Sequence, residues 1–267
     1  MQLPNQRLQG TRGSSDFLLC QHLFRAPLNR ATLGVIGQIM HTATPIDSWT
    51  SLAALIEECA ADKWVFRGEA SDRYVLQAKA GRVGEQRGSA RKVPYDVEHE
   101  REALALFKRQ ARPYLGHTPS SDLEWLAIAQ HHGMPTRLLD WTESMLVAAY
   151  FAVVQAGVPG NGVIYGVRRL RDIPGDDESR PFEIQNPGIY RPPHITPRIP
   201  AQRSVFTVHP DPTEVYEPPG LKRWVISSQA CGSIKRILDA CAINESSLFP
   251  DLHGLSRYLG WRYKWGK

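Results

Sequence analysis

The chain of 267 residues is 42% hydrophobic and 22% charged, with 21 Gly and 20 Pro, which excludes a collagen-like repeat and an intrinsically disordered chain. Its 32 Lys and Arg against 27 Asp and Glu leave a net charge of +5, a mild preference for anionic partners because the basic residues are dispersed. No apolar stretch, that at 145–154 included, approaches the ~20 residues needed to cross a bilayer, so no membrane partner is expected.

Residues 1–44 carry scattered apolar side chains without a helical or strand period and read as a loose N-terminal arm ahead of a domain over 45–267. The apolar patch Phe17-Leu18-Leu19 is too short for a secretion signal, and a cytoplasmic location is the expectation. Cys20, Cys59, Cys231 and Cys241 show neither close pairing nor metal-ligand spacing, so reduced thiols are expected, with no disulfide framework and no metal site.

From Pro45 the pattern sharpens. Asp47 or Ser48 caps a helix that presents Trp49, Leu52, Leu55, Ile56 and Cys59 on one face and ends near Asp62. Trp64-Val65-Phe66 reads as a short strand delivering Arg67 to its end, where Gly68 lets the chain turn. The stretch 81–92, rich in Gly and basic residues, reads as a loop. A helix over 96–111 follows, with Val97, Glu100, Leu104, Phe107 and Ala111 on one face.

Ser121 and Glu124 form a capping box for a helix that runs to His132, and Gly133 and Pro135 end it. A tight connection leads to Thr142 or Ser144, the cap of a helix over 145–156 that is apolar on nearly every side. A buried strand is expected at 162–167. Half of the prolines fall between Pro181 and Pro219, so that stretch reads as irregular apart from a strand at 205–208. A strand at 222–227 and helices at 233–241 and 249–259 complete an α+β fold, read as a single mixed domain.

Two segments mix polar and apolar side chains too densely for ordinary packing: Trp64 to Glu69, and Gln130 to Thr142. Together they suggest a shared pocket in which Arg67 presents a planar fork to phosphate or carboxylate and Thr136, Arg137 and Asp140 face it. Arg137 and Asp140 would either pair with each other or line the same cleft. His131 and His132 diverge by about 100° on a helix and do not jointly hold a metal, and one of them is expected to cap the helix end as a protonated imidazole. Serine-hydrolase and P-loop patterns are absent from the sequence.

At these residues the chain resembles the FRG domain family, named for its Phe-Arg-Gly signature. The likeness rests on Phe66-Arg67-Gly68 with the following Glu69 to Asp72, on QHHGMPTRLLDWTESMLVAAYFA from Gln130, on Arg198 to Gln202 with Phe206, and on Leu248 to Leu255, in the family's order and spanning about 45–260. It departs at Glu69, where Gln is commoner, and at Ser204, where Gly is expected.

Phe66-Arg67-Gly68 at a strand end, Leu139-Asp140-Trp141-Thr142 leading to Ala148-Ala149-Tyr150-Phe151-Ala152, and Ala201 to Phe206, in that order, carry a second, weaker resemblance, to arginine-type mono-ADP-ribosyltransferases. It implies an ADP-ribosyltransferase-like fold, NAD as co-substrate, Arg67, Asp140, Thr142 and Gln202 as the catalytic set, and Arg67, Gly68, His131, Thr136 and Arg137 as NAD-binding residues. The third element of such an enzyme carries a catalytic Glu, and here Gln202 stands in its place. Glu143, Glu183 or Asp140 would have to substitute for it, because a neutral amide only weakly stabilises the positive charge that develops at the anomeric carbon. The function implied is a toxin or defence enzyme that modifies a macromolecular acceptor, protein or nucleic acid, under the control of an antitoxin or regulatory partner. The alternatives are a non-catalytic nucleotide- or nucleic-acid-binding module and a nuclease or hydrolase.

Overall fold

The structure, a computed structural model, describes residues 45–82, 84–85, 92–154 and 160–265. The expected N-terminal arm and Cys20 lie outside the described residues, as does much of the expected loop at 81–92. Six antiparallel strands form one sheet in the order β6-β7-β4-β1-β5-β8. They are β1 Trp64–Glu69, β4 Leu138–Thr142, β5 Gly162–Arg168, β6 Gly188–Tyr190, β7 Ser204–Val208 and β8 Lys222–Ile226. A second ladder, β2 Gly84–Glu85 with β3 Lys92–Val93, replaces part of the expected loop. No described helix is long and apolar enough to cross a membrane.

The helices are α1 Trp49–Cys59, α2 Val97–Ala111, α3 Asp122–His131, α4 Met145–Val153, α5 Arg198–Gln202, α6 Ser228–Ala240, α7 Glu245–Leu248 and α8 Leu252–Trp265. Their starts follow side-chain chemistry. Ser48, Asp96, Ser121, Ser144 and Ser227 each accept a backbone N–H of the first turn and satisfy a donor that the helix leaves open. Glu124 reaches back past Ser121 to the amide of Ser120, so the capping box expected there is only half formed.

The helices lie on one face of the sheet. Helices α1, α4 and α6 cover β1, β5 and β8 through Leu52, Leu55, Ala148, Phe66, Ile164, Ile226 and Ile234, and α2 and α3 cover β4 and β7 through Leu104, Leu123, Leu126, Leu138, Phe206 and Val208. The opposite face buries Val65, Leu139, Trp141, Val163, Tyr165, Val167 and Val205 beneath Leu76 and Tyr216, which connecting segments supply. Strands β1, β4, β5, β6 and β7 thus place side chains in both apolar layers, which is why that part of the sheet is buried on both sides, whereas the edge strand β8 exposes Lys222 and Arg223.

Several boundaries differ from the sequence reading. Strand β1 does not turn at Gly68, because Gly68 and Glu69 remain in the ladder opposite Ile164 and Val163. The connection after Pro135 contains β4, a strand in the middle of the sheet, and its polar Asp140 is what disguised it. The proline-rich stretch holds β6 and α5 as well as β7, each of the first two only a few residues long, as flanking prolines require. Helix α6 begins at Ser228, five residues before the expected start, and the last helix begins at Leu252, after a separate short helix α7.

Candidate functional site

Strand β1 alternates, so Val65, Arg67 and Glu69 point to the helix-free face while Phe66 and Gly68 point toward α4. Arg67 is only 14% exposed in its side chain and is held at three points. Its Nε donates to Glu69 Oε1 at 2.9 Å, and its Nη1 donates to the carbonyl of Asp140 at 2.7 Å, with Asp140 Oδ2 at 3.5 Å. Burial alone would depress the Arg67 pKa, but the Glu69 and Asp140 carboxylates outweigh it and hold the guanidinium above its ordinary value.

The carbonyl of Asp140 is free for Arg67 because the sheet parts there. Strand β1 shares six registered pairs with β5 but only Phe66↔Thr142 with β4. Beyond that pair the two central strands separate, and the guanidinium spans the opening. A second cation lies close by: Arg82 donates through Nε and Nη2 to the carbonyl of Gln77, and burial, followed by the charge of Arg67, lowers its pKa. The Asp140 carboxylate is 53% exposed, the most accessible acidic group of this cluster.

His131 stands near Asp140 on the helix-bearing face. Its Nδ1 is 3.2 Å from Thr196 Oγ1, and its ring lies 5.8 Å from that of Phe206, whose backbone pairs with Asp140. Burial pushes its pKa down to about 4, against the opposing pull of Asp140, and burial also lowers that of His132. Neither imidazole is therefore the protonated helix cap the sequence suggested. The end of α3 is closed instead by the amides of His132, Gly133 and Met134, with Gly133 at φ 94°. Both histidines line a cavity of about 250 Å³ bounded by Tyr114, Thr196, Arg198 and Asp251.

Thr136 and Arg137 do not face Arg67. Thr136 is fully buried; its hydroxyl donates to Gln130 Oε1 and accepts the amide of Leu138 at 3.1 Å, latching β4 to α3. Arg137, also fully buried, donates to Glu100 Oε2 at 2.9 Å and to the Tyr95 hydroxyl at 2.7 Å, with further donations to the carbonyls of Pro181, His209 and Pro210. Its guanidinium lies 4.2 Å from the centroid of the Phe182 ring. It neither pairs with Asp140 nor shares a partner with Arg67. Glu100, its carboxylate partner, escaped the search for site residues, although its place on the apolar face of α2 beside Leu104 and Ala111 was the signal.

Thr142 and Gln202 come together through the backbone. The Thr142 hydroxyl donates to the Gln202 carbonyl at 2.7 Å and accepts the Ser144 amide at 3.0 Å, so both its roles are filled. The Gln202 side chain donates to the carbonyl of Leu248 at 2.9 Å and ends α5 rather than beginning β7. Of the other carboxylates, Glu143 lies 3.4 Å from Arg191 and Glu183 3.6 Å from Arg180, so Asp140 alone among the three stands beside Arg67. Gly68 leaves no room for a ligand on its α4 side, because a Cβ there would lie 1.8 Å from the carbonyl oxygen of Ala148.

A second buried imidazole makes the pH response of the fold predictable. Trp141 Nε1 donates to Thr207 Oγ1 at 3.0 Å, and the same hydroxyl is hydrogen-bonded to His209 Nε2 at 2.8 Å, so the ring is tied into the buried layer beneath the sheet. Burial lowers the His209 pKa to about 4, aided by the positive charges of Arg137 and Arg67. Between pH 6.5 and 4 the unfolded chain binds protons at His131 and His209 that the folded chain refuses. Stability is expected to be full above pH 7 and to fall as pH drops through that window, by up to about 1.4 kcal/mol per pH unit for each histidine. Urea midpoints unchanged between pH 7 and pH 5 would contradict this.

Among known families, the FRG domain model matches residues 62–158, from just before β1 to just beyond α4, and so supports the FRG resemblance over that part of the chain. The match contains Arg67, Gly68, His131, Thr136, Arg137, Asp140 and Thr142 and leaves Gln202 outside. No curated protein and no solved structure matches the chain, so the comparisons lend no support to an ADP-ribosyltransferase.

Proposed function

We propose that the opening between β1 and β4 is the nucleotide site of an NAD-dependent ADP-ribosyltransferase acting on a macromolecular acceptor, with Arg67 as anion anchor and Asp140 as the carboxylate. The observation that carries this reading is the parted ladder, with a guanidinium across it and a half-exposed carboxylate beside it. The sheet order adds support. The three segments that the resemblance singles out are neighbours, since β4 lies between β1, which bears Arg67, and β7, which follows Gln202.

In this reading the guanidinium binds a phosphate or ribose oxygen with its planar fork, which an ammonium does not reproduce. Asp140 accepts a hydrogen bond from the nicotinamide ribose and stabilises the positive charge that develops at its anomeric carbon. The bond from that carbon to nicotinamide breaks with its electron pair leaving on nicotinamide. The acceptor's lone pair forms the new bond, and the proton the acceptor loses passes to solvent.

The test is nicotinamide release, and transfer of adenylate-labelled NAD to protein, RNA or DNA of a cell extract. Arg67→Lys is expected to lower the rate at least tenfold although charge is kept. Asp140→Asn is expected to lower it at least a hundredfold with little change in melting temperature, its side chain being half exposed. Absence of release from NAD with every acceptor would overturn the proposal. One observation favours a second reading, a non-catalytic nucleotide-binding module: Gln202 is neutral and tied to Leu248. In that case NAD binds but stays intact.

A further inference from the structure

The cavity beside His131 has a chemistry of its own. It opens between the 3-10 helix Arg112–Tyr114, the end of α3 and the start of α5. Tyr114 lines it with 86% of its surface exposed, and among the described residues its ring stacks on no other. An aromatic ring left so open to water on the lip of a cavity is a ready stacking surface.

The wall mixes apolar side chains, Leu115, Ile195, Pro197 and Pro250, with a few polar groups. His131 and His132 are both held toward the neutral form, and the Thr196 hydroxyl stands beside His131. The charged groups at the back are already matched: Arg198 donates to Asp251 at 2.6 Å and to the carbonyl of His131 at 2.9 Å. In the turns of chain that lead to Tyr114, Arg109 and Arg112 are exposed and form no ion pair among the described residues. Apolar walls with a few neutral donors and acceptors, an open ring at the lip and unmatched cations in the chain leading to that ring call for a ligand that is flat and uncharged at its tip and anionic along its length. Acidic peptides carry their charge at the tips of their side chains, and lipid surfaces offer no planar group to stack.

We infer that this cavity binds a base of single-stranded nucleic acid, with Tyr114 stacking on the base, the His131 and Thr196 side chains meeting its edge, and Arg109 and Arg112 following the phosphates. The inference stands apart from the NAD reading, because binding needs no NAD. Should that reading hold as well, the base would sit on the same face as Asp140, since His131 packs on the Phe206 that pairs with it.

Fluorescence anisotropy with fluorescein-labelled oligouridine RNA and oligothymidine DNA of about a dozen nucleotides tests this on the full chain. Binding is expected to weaken steeply with salt, as phosphate contacts require. Tyr114→Ala should weaken it by about tenfold, the scale of one lost base–aromatic stack, while Tyr114→Phe keeps it. Because Tyr114 is exposed, neither change should move the melting temperature. The double variant Arg109→Gln, Arg112→Gln should flatten the salt dependence. The inference fails if neither oligonucleotide binds at low salt, or if Tyr114→Ala binds as the unaltered chain does while the arginine variants do not, which would mark a merely basic surface. Nicotinamide release is measured separately, so either reading can fail without the other.

Discussion

Arg137→Met is expected to destabilise the folded chain by about 3–5 kcal/mol, the usual consequence of removing one partner of a buried ion pair. The arginine joins three parts of the fold: Glu100 of α2, the segment around Pro181 and Phe182, and the carbonyls of His209 and Pro210 after β7. With it gone, the Glu100 carboxylate keeps only the Arg137 amide at 2.8 Å and the Tyr95 hydroxyl at 2.7 Å, inside a region closed to water. Urea unfolding should show a lower midpoint with an unchanged slope. A double variant that adds Glu100→Gln should recover part of the loss, because the stranded charge is then removed. A single variant within about 1 kcal/mol of the unaltered chain would mean that the pair is dispensable.

Gly68→Ala is expected to do comparable damage by crowding. The added carbon would lie 1.8 Å from the Ala148 carbonyl oxygen and 2.8 Å from the Ala152 nitrogen, both backbone atoms of α4. No rotamer relieves such a contact, so the helix must move off the sheet. The cost should reach or pass the upper end of the roughly 1–3 kcal/mol typical of overpacked cores. Gly175→Ala, where an added carbon meets nothing within 4 Å, serves as the control and should change stability by less than about 0.5 kcal/mol. A Gly68→Ala protein that melts with the unaltered chain would show that α4 yields easily. The glycine of the Phe-Arg-Gly signature thus has a packing role on the α4 side, while its arginine neighbour points to the other face.

Elements whose periodicity is carried by apolar residues were legible in the sequence. Helix α4 is apolar all round and lies against the centre of the sheet, and β5 is buried at Gly162 to Val167, as their composition implied. Strand β4 was not legible, because Asp140 interrupts its apolar run and Arg137 just before it reads as a surface residue until Glu100 is brought to it. Helix α8 starts later than expected because Pro250 and Asp251 form the turn before it, Asp251 accepting the amide of Gly254 at 2.8 Å.

At the candidate site, the meeting of Arg67 and Asp140 was foreseen, whereas the company of Arg137 was not. Sequence spacing placed Arg137 and Asp140 in one cleft, but a strand of alternating side chains separated them: Arg137 went into the core and Asp140 to an opening in the sheet. What decided the matter was a long-range pairing that local pattern does not encode.

The sheet order also governs how the chain can be made. Strand β1 is the first of the six to be synthesised and the fourth in spatial order, and Trp64 finds its partner only at Arg168. Its one registered link to the other half of the sheet waits for Thr142. A nascent chain therefore carries Trp64 and Val65 unpaired while roughly a hundred further residues are translated, some 5–20 seconds at ribosomal speeds. Until then α1 is the only described helix upstream of β1 available to shield them. Folding of this chain is thus expected to begin in earnest only after β5 has left the ribosome, with the N-terminal third held over for partners made later.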